Sequence, residues 1–444
     1  MKRLFALTLI ACLMIGTFSG CKKGELIFYD NSGKVIASVA SSKELKTKSR
    51  SKEYAMLDGA FREAVQQLCE KDHCEAKVAE KRLFDHCKIY TTFDTDAVAK
   101  IQTIYKNQFS GGIPFGCALI KPNGETVALF SNGSANENHA VQPKSPYSAL
   151  KPLAIYAPAI ESGMINWSSV FEDSPYKKIT DSSGKLVDWP VNADNRYSLQ
   201  PETVCTAIKR SLNTVAVKCL AKYGVENSMS FLTQKLGIDL SDEYLKMQMV
   251  GEDEIIGNIA MGYLSKGVSP LDMAGYYQMF SNSGVYIKPY CITKICDEKG
   301  EIYSNRVQAK SVLDESTACI MTHLLQEVVS FEGTGKAAEI KNAHIAGKTG
   351  TGNTGEGNWF VGFSSDCTCA VWHGAGTEKN YSPAVFAEVV QNCNLSGKGE
   401  YPTSDRVKEA AFCAESGLLL SDKCVKMEIG YYKEENLPQK CNNH

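Results

Sequence analysis

Apolar and polar positions along this chain alternate between two periods, and the changes of period mark out its elements. Leu26-Ile27-Phe28-Tyr29 and Val35-Ile36-Ala37 flank an Asp/Asn/Ser/Gly stretch, a strand–turn–strand pattern that predicts a short hairpin. Lys43 to Lys52 carries no apolar period and reads as a polar linker. Met56, Ala60, Ala64, Val65 and Leu68 have helical spacing and predict a helix over 56–71, and another is expected over 97–109. Cys117-Ala118-Leu119-Ile120 and Val127-Ala128-Leu129-Phe130 read as a hairpin across Pro122-Asn123-Gly124. The middle, 148–330, is mostly helical in pattern. From 343 the strands return, with Ala343–Gly347 and Trp359–Phe363 joined by a Gly-rich hairpin. Strands at both ends with helices between them predict an α+β fold, in which an antiparallel sheet flanked by helices closes around a mostly helical subdomain.

Charge and the N-terminal pattern narrow the setting. The formal net charge of −2 argues against nucleic acid as a partner. Met1-Lys2-Arg3 followed by the apolar run Leu4 to Phe18 has the layout of an export signal. Phe18-Ser19-Gly20-Cys21 reads as a lipobox, so Cys21 is the expected lipidation site and the body is expected outside the cytoplasm, held to a membrane by its N-terminal lipid. The apolar run is shorter than the ~20 residues that span a bilayer, which favours this over an uncleaved anchor helix.

Chemistry enters through three short motifs in one order. Ser-x-x-Lys occurs at Ser49/Lys52, Ser148/Lys151, Ser174/Lys177 and Ser182/Lys185. The serine and lysine must face each other, and at i and i+3 on a helix their Cβ atoms are about 5–6 Å apart. Only Ser148 opens a helical apolar run, Pro152 to Ile160; Ser174 and Ser182 sit in turn-forming sequence. Ser211-Leu212-Asn213 follows 63 residues later, between helical stretches 204–209 and 214–223. Lys348-Thr349-Gly350-Thr351 begins 200 residues after Ser148, on a strand. Any one of these is more often surface Ser and Lys. Their conjunction in order is the signature of serine β-lactamases and penicillin-binding proteins.

The residue types explain why. Ser148 is the expected nucleophile, and its hydroxyl needs a base. Lys151 is the candidate, but a free lysine has a pKa of about 10.4, so neutrality near pH 7 needs a shift costing roughly 4 kcal/mol. Burial and a like charge both act in that direction, and Lys348 is the expected like charge. Ser211 is expected to relay the proton to the leaving amine, and Asn213 to hydrogen-bond the substrate amide. Thr349, Gly350 and Thr351 form the expected substrate strand, the two threonines binding a carboxylate beside Lys348. The backbone N–H groups of Ser148 and Thr351 are the expected oxyanion donors. No metal or cofactor is expected.

The match extends beyond the trio. Tyr90-Thr91-Thr92-Phe93-Asp94, Trp189-Pro190-Val191-Asn192, Ser211-Leu212-Asn213-Thr214-Val215-Ala216, Gly267-Val268-Ser269-Pro270-Leu271 and Gly333-Thr334-Gly335 follow one another as in the transpeptidase half of class A penicillin-binding proteins, which the chain resembles over about residues 54–444. Cys413-Ala414-Glu415-Ser416-Gly417, Cys424 and Cys441 resemble the Cys-containing extension that many of those proteins carry. The resemblance implies cross-linking of peptidoglycan stem peptides ending in D-Ala-D-Ala, and covalent inhibition by β-lactam antibiotics. It divides the chain into a signal with lipobox (1–21), an N-terminal linker or pedestal (22–88), the transpeptidase domain (89–395) and the Cys-containing extension (396–444). Two positions depart from the family: Tyr147 where glycine usually precedes the nucleophile, and Gly352 where a second threonine is common. About 65 residues between the export signal and Tyr90 leave no room for the family's glycosyltransferase domain, so a separate glycosyltransferase is an expected partner. Glu172-Asp173 echoes an acidic motif of that missing domain and reads as coincidence.

Alternatives stay open within the fold and beyond it. A D,D-carboxypeptidase or a serine β-lactamase would send water to the acyl-enzyme. A class A lactamase needs a deacylating glutamate between the second and third motifs; Glu226, Glu243, Glu252 and Glu254 lie there, none in a Glu-x-x-Leu-Asn setting. A non-catalytic β-lactam or muropeptide sensor is the reading from another class. Of the seventeen cysteines, Cys291/Cys296 and Cys413/Cys424 are disulfide candidates only. Cys69, His73, Cys74, His86 and Cys87 lack a clean zinc spacing, and Cys367 and Cys369 read as buried free thiols.

Overall fold

The computed structural model describes residues 24–48, 51, 53–109, 112–133, 137–352, 356–377, 379–397 and 399–442. The export signal and Cys21 lie outside the described residues, as does part of the 43–52 segment. Two five-stranded sheets organise the chain. The central sheet runs in the order Ala346–Thr351, Asn358–Phe363, Thr368–His373, Phe115–Ile120, Thr126–Ser131, with every neighbouring pair antiparallel. Its strands are covered on both faces, which is why they read as near-continuous apolar runs.

Side-chain alternation divides the core into two. Trp359, Val361, Phe363, Ala370 and Trp372 point into a helical body that holds residues 147–160, 204–280 and 312–328. Phe360, Cys369 and Val371 point the other way, against helices Tyr54–Asp72, Thr95–Gln108 and Ser382–Asn392. The predicted helices over 56–71 and 97–109 and both predicted N-terminal hairpins are present. Among the described residues no helix is long and apolar enough to cross a membrane.

One expectation needs correction, and the structure adds strands that carried no sequence period. The stretch beginning at Lys43 is not simply a linker: Ser42–Thr47 is helical, because Ser41 caps it at the Glu44 N–H and Leu45 buries beneath it. The middle of the chain is mostly helical, as expected, and carries strands as well. Ile292–Asp297 and Gly300–Ser304 leave the helical body and complete the second sheet beside Lys88–Thr91, which pairs in turn with Leu26–Tyr29. The pedestal sheet thus takes strands from residues 26–39, 88–91 and 292–304. Short ribbons also interrupt the helices at Val170–Glu172 with Pro201–Thr203, at Lys177–Thr180 with Leu186–Trp189, and at Val285–Ile287 with Ala309–Ser311. Each buries too few apolar positions to register as a strand period. The C-terminal extension forms the hairpin Val407–Cys413 and Met427–Lys433.

Candidate active site

The apolar run after Ser148 is helical throughout but changes pitch. Tyr147–Leu150 is a 3-10 turn, Pro152–Tyr156 a π-helical turn and Ala157–Glu161 an α-helical turn. Pro152 and Pro158 have no N–H, so the carbonyls four residues earlier need other donors. Ser148 O accepts the Lys151 N–H instead. Ala154 O accepts Ser228 Oγ at 2.5 Å. These substitutions anchor the nucleophile turn to the helical body.

The edge strand Ala346–Thr351 lies directly against this turn, and glycine permits the approach. A Cβ on Gly350 would sit 2.5 Å from Pro146 O and 3.2 Å from Ala149 N. Gly352 N–H bonds Gly357 O at 2.9 Å, so by antiparallel alternation the Thr351 N–H faces the open edge of the sheet, toward the cleft. Asn380 Nδ2 braces the strand by donating to Gly350 O at 3.3 Å and Trp359 O at 3.1 Å.

Ser148, Ser211, Asn213, Thr349 and Thr351 line one cleft of about 590 Å³, with Trp189, Asn192, Tyr263, Thr334 and Asn380 among its other walls. Lys151 lies beneath it, fully buried, and donates to Asn213 Oδ1 at 2.7 Å and to Ser211 O at 3.0 Å. Ser211 makes this possible with a left-handed backbone (φ 59°) that turns its carbonyl inward at the end of helix Val204–Arg210. Burial, reinforced by the charge of Lys348, drives the Lys151 pKa well below that of an ordinary lysine. Lys348 is also fully buried, and its pKa falls to about 7 through burial. Its Nζ donates to Thr349 O at 3.2 Å. Thr349 Oγ1 also meets Thr334 Oγ1 at 2.8 Å. All eight catalytic and substrate-binding candidates therefore come together; Cys21 falls outside the described residues.

Sequence reasoning overlooked the support for Asn213. Asp173 accepts from Thr214 Oγ1 at 2.5 Å, Asn192 Nδ2 at 2.7 Å and Ser198 N at 2.8 Å. Burial pushes its carboxyl pKa up, but these donors outweigh burial and hold it below the usual value. Asn192 Oδ1 in turn accepts the Asn213 N–H at 2.8 Å. Asp173 is thus a structural hub, and the only sequence signal was a polar cluster in a turn-rich stretch. In Asp173→Ala, the buried donors on Thr214 and Asn192 lose their acceptor, each at about 1–3 kcal/mol. A thermal scan should show a lowered midpoint, and labelling by a fluorescent penicillin should slow at least tenfold; an unchanged midpoint would remove Asp173 from this role.

Tyr147 and Gly352, the two departures noted in the sequence, meet in space. The Tyr147 backbone is left-handed (φ 50°), a conformation that costs a residue with Cβ about 1–2 kcal/mol. Its ring fills the volume that a side chain at 352 would need: a Cβ there would lie 2.6 Å from Cζ and 2.8 Å from the hydroxyl oxygen. The hydroxyl donates to Glu356 Oε2 at 3.1 Å, and the ring meets Tyr263 edge-on at 5.3 Å. Glu226, Glu243, Glu252 and Glu254 are not among the residues lining the cleft. The Cys69–Cys87 region does not form a ligand cluster; among the described residues, three thiols converge at Cys413, Cys424 and Cys441.

Comparison with known proteins agrees with this geometry. Residues 116–392 match the family model "Penicillin binding protein transpeptidase domain". Penicillin-binding protein 1A/1B of Bacillus subtilis is 30% identical over 406 residues, covering 84% of this chain and 41% of that protein. Penicillin-binding protein 4 of the same organism is 30% identical over 305 residues, 66% of this chain and 45% of that one. The chain spans less than half the length of these relatives. Among solved structures, penicillin-binding protein 1A from Haemophilus influenzae superposes with a TM-score of 0.71 at 16% identity, covering 95% of this chain and 99% of that chain. The D,D-transpeptidase domain of a peptidoglycan glycosyltransferase from Eggerthella lenta gives 0.61 at 18% identity, over 84% and 98%. With the family model spanning the strands and turns that build the cleft, the chain belongs to the penicillin-binding protein transpeptidase family.

Proposed function

We propose that this protein is a serine D,D-transpeptidase that cross-links peptidoglycan stem peptides ending in D-Ala-D-Ala, and that β-lactam antibiotics acylate it at Ser148. The observation that carries this reading is Lys151: a fully buried amine, its pKa driven well below that of an ordinary lysine by burial and the charge of Lys348, beneath a cleft that presents Ser148 and Ser211. Neutral Lys151 takes the Ser148 proton as Oγ attacks the penultimate carbonyl. The N–H groups of Ser148 and Thr351 receive the oxyanion. Ser211 passes the proton to the departing D-Ala nitrogen as the C–N bond breaks. An amine of a second stem peptide then attacks the ester and frees Ser148. Lys348, Thr349 and Thr351 hold the terminal carboxylate. The partner on this reading is a glycosyltransferase acting on the same strands. Lipidation at Cys21 would hold the body at the membrane, outside the cytoplasm.

Fluorescent penicillin labelling of the wild type and Ser148→Ala tests the reading. Label that depends on Ser148 and persists for hours is expected. Label lost within seconds would indicate β-lactamase turnover, and no label on folded protein would end the acyl-enzyme reading. Transfer of the acyl group to an added D-amino acid, rather than to water alone, separates transpeptidase from carboxypeptidase.

The two lysines also set a pH profile. The second-order acylation rate should rise as Lys151 loses its proton and fall above about pH 7 as Lys348 loses its charge. In Lys348→Gln the falling limb should disappear. Without the neighbouring positive charge the Lys151 pKa rises, so the rising limb should move to higher pH. A profile unchanged by Lys348→Gln would refute this coupling.

A further inference from the structure

We propose that Cys413, Cys424 and Cys441 bind one zinc ion, which fastens the C-terminal extension to the catalytic body. Three separate passes of chain bring these thiols together. Cys413 ends the strand Val407–Cys413, Cys424 closes a turn from Ser421, and Cys441 lies on the final segment. Backbone bonds tie the passes at one point: Cys413 N–H to Leu418 O at 2.8 Å, Cys441 N–H to Leu419 O at 2.8 Å, and Leu419 N–H to Gln439 O at 2.9 Å. All three Sγ atoms lie within 4.8 Å of one another. A tetrahedral zinc with bonds of ~2.3 Å places its sulfurs about 3.8 Å apart, so the trio needs only a small contraction.

Hydrogen-bond donors surround the sulfurs. Cys413 and Cys441 are buried. Ser421 directs its N–H at Cys424 Sγ at 3.4 Å, with its hydroxyl at 3.3 Å, and Ser416 Oγ donates to Cys441 Sγ at 3.3 Å. Donors around the sulfurs are the outer-shell support that metal–thiolate sites use. A disulfide would engage two of the three sulfurs and leave the third; a metal engages all of them. The fourth coordination position falls to a ligand outside the trio, such as water.

The site has a mechanical consequence. The turn after Cys413 packs on the segment leading to the Asp173 hub. Ser168 Oγ donates to Gly417 O at 2.6 Å, and Tyr432 donates to Ser168 Oγ at 2.9 Å. Gly417 (φ 71°) comes so close that a Cβ would meet Ser168 O at 2.0 Å. Tyr431 stacks on His323 of helix Glu315–Val329 with centroids 3.9 Å apart. Zinc at the base of this hairpin would hold those contacts in register without touching the cleft.

The test is metal content of the full chain, purified with reductant from zinc-supplemented medium and desalted. One zinc per chain is expected, and replacement by cobalt should give a thiolate-to-cobalt charge-transfer band. Cys424→Ser and Cys441→Ser should each lower zinc at least tenfold while still labelling with fluorescent penicillin, which shows that they remain folded. Removing the metal from the wild type should expose the 396–444 segment to protease. Zinc lost on desalting, or a disulfide between two of the three cysteines mapped in protein isolated without reductant, would overturn the proposal. The zinc content, the cobalt band and the protease pattern do not depend on the activity assigned to the cleft.

Discussion

Replacing Lys151 by methionine should slow acylation of Ser148 by a penicillin about 10³-fold or more, roughly 4 kcal/mol of barrier, with little change in stability. The two expectations have separate causes. A general base contributes about 10²–10⁴ to such a step, and the Ser148 hydroxyl has no comparable acceptor in its own turn. Stability changes little because two terms oppose. Methionine removes the cost of burying an amine, while Asn213 Oδ1 and Ser211 O lose the donor they hold at 2.7 and 3.0 Å. Stopped-flow labelling gives the first quantity and a denaturant titration of the same protein gives the second. An acylation rate within tenfold of wild type would assign the base elsewhere.

Gly352→Thr should be the most damaging single change on the cleft wall that removes no motif residue. Its Cβ would overlap the Tyr147 ring at 2.6 Å. The ring cannot withdraw easily, because its backbone is fixed by Tyr147 N–H to Gly262 O at 3.1 Å and its hydroxyl is bound to Glu356. Overpacking of this kind costs about 1–3 kcal/mol, and the displaced residue adjoins the nucleophile, where a small misplacement costs about 10² in rate. Tyr147→Gly by itself relieves the left-handed backbone but forfeits the ring packing and the Glu356 bond. The double variant Tyr147→Gly/Gly352→Thr should acylate faster than Gly352→Thr. A double-mutant cycle should give a coupling of at least about 1 kcal/mol. Additive effects would mean that the two positions do not share one volume.

Lys348→Gln complements both experiments, since it changes a charge without changing the cleft wall. The causes of the two shifts differ: Lys151 feels both burial and Lys348, whereas the Lys348 shift comes from burial.

The α+β class, the two N-terminal hairpins, helices 56–71 and 97–109 and the strand pair around Lys348 were legible because each buries one face or both, and burial imposes a period on the sequence. The three motifs were legible because acyl transfer requires particular residue types at fixed local spacing. The sequence could order Ser148, Lys151, Ser211, Asn213 and Lys348 and name their chemistry. Tertiary structure decided the rest. Burial of both lysines depends on helices and strands hundreds of residues apart, and so does the direction of their pKa shifts. Asp173 acquires its role only when the turn before Asn192 folds onto it. Tyr147 and Gly352 looked like two unrelated departures until the edge strand met the nucleophile turn, and Cys413, Cys424 and Cys441 became one cluster only where three passes of chain cross at Leu419. Local patterns record what a segment buries; which segments share a volume is set by packing, and packing leaves no period in the sequence.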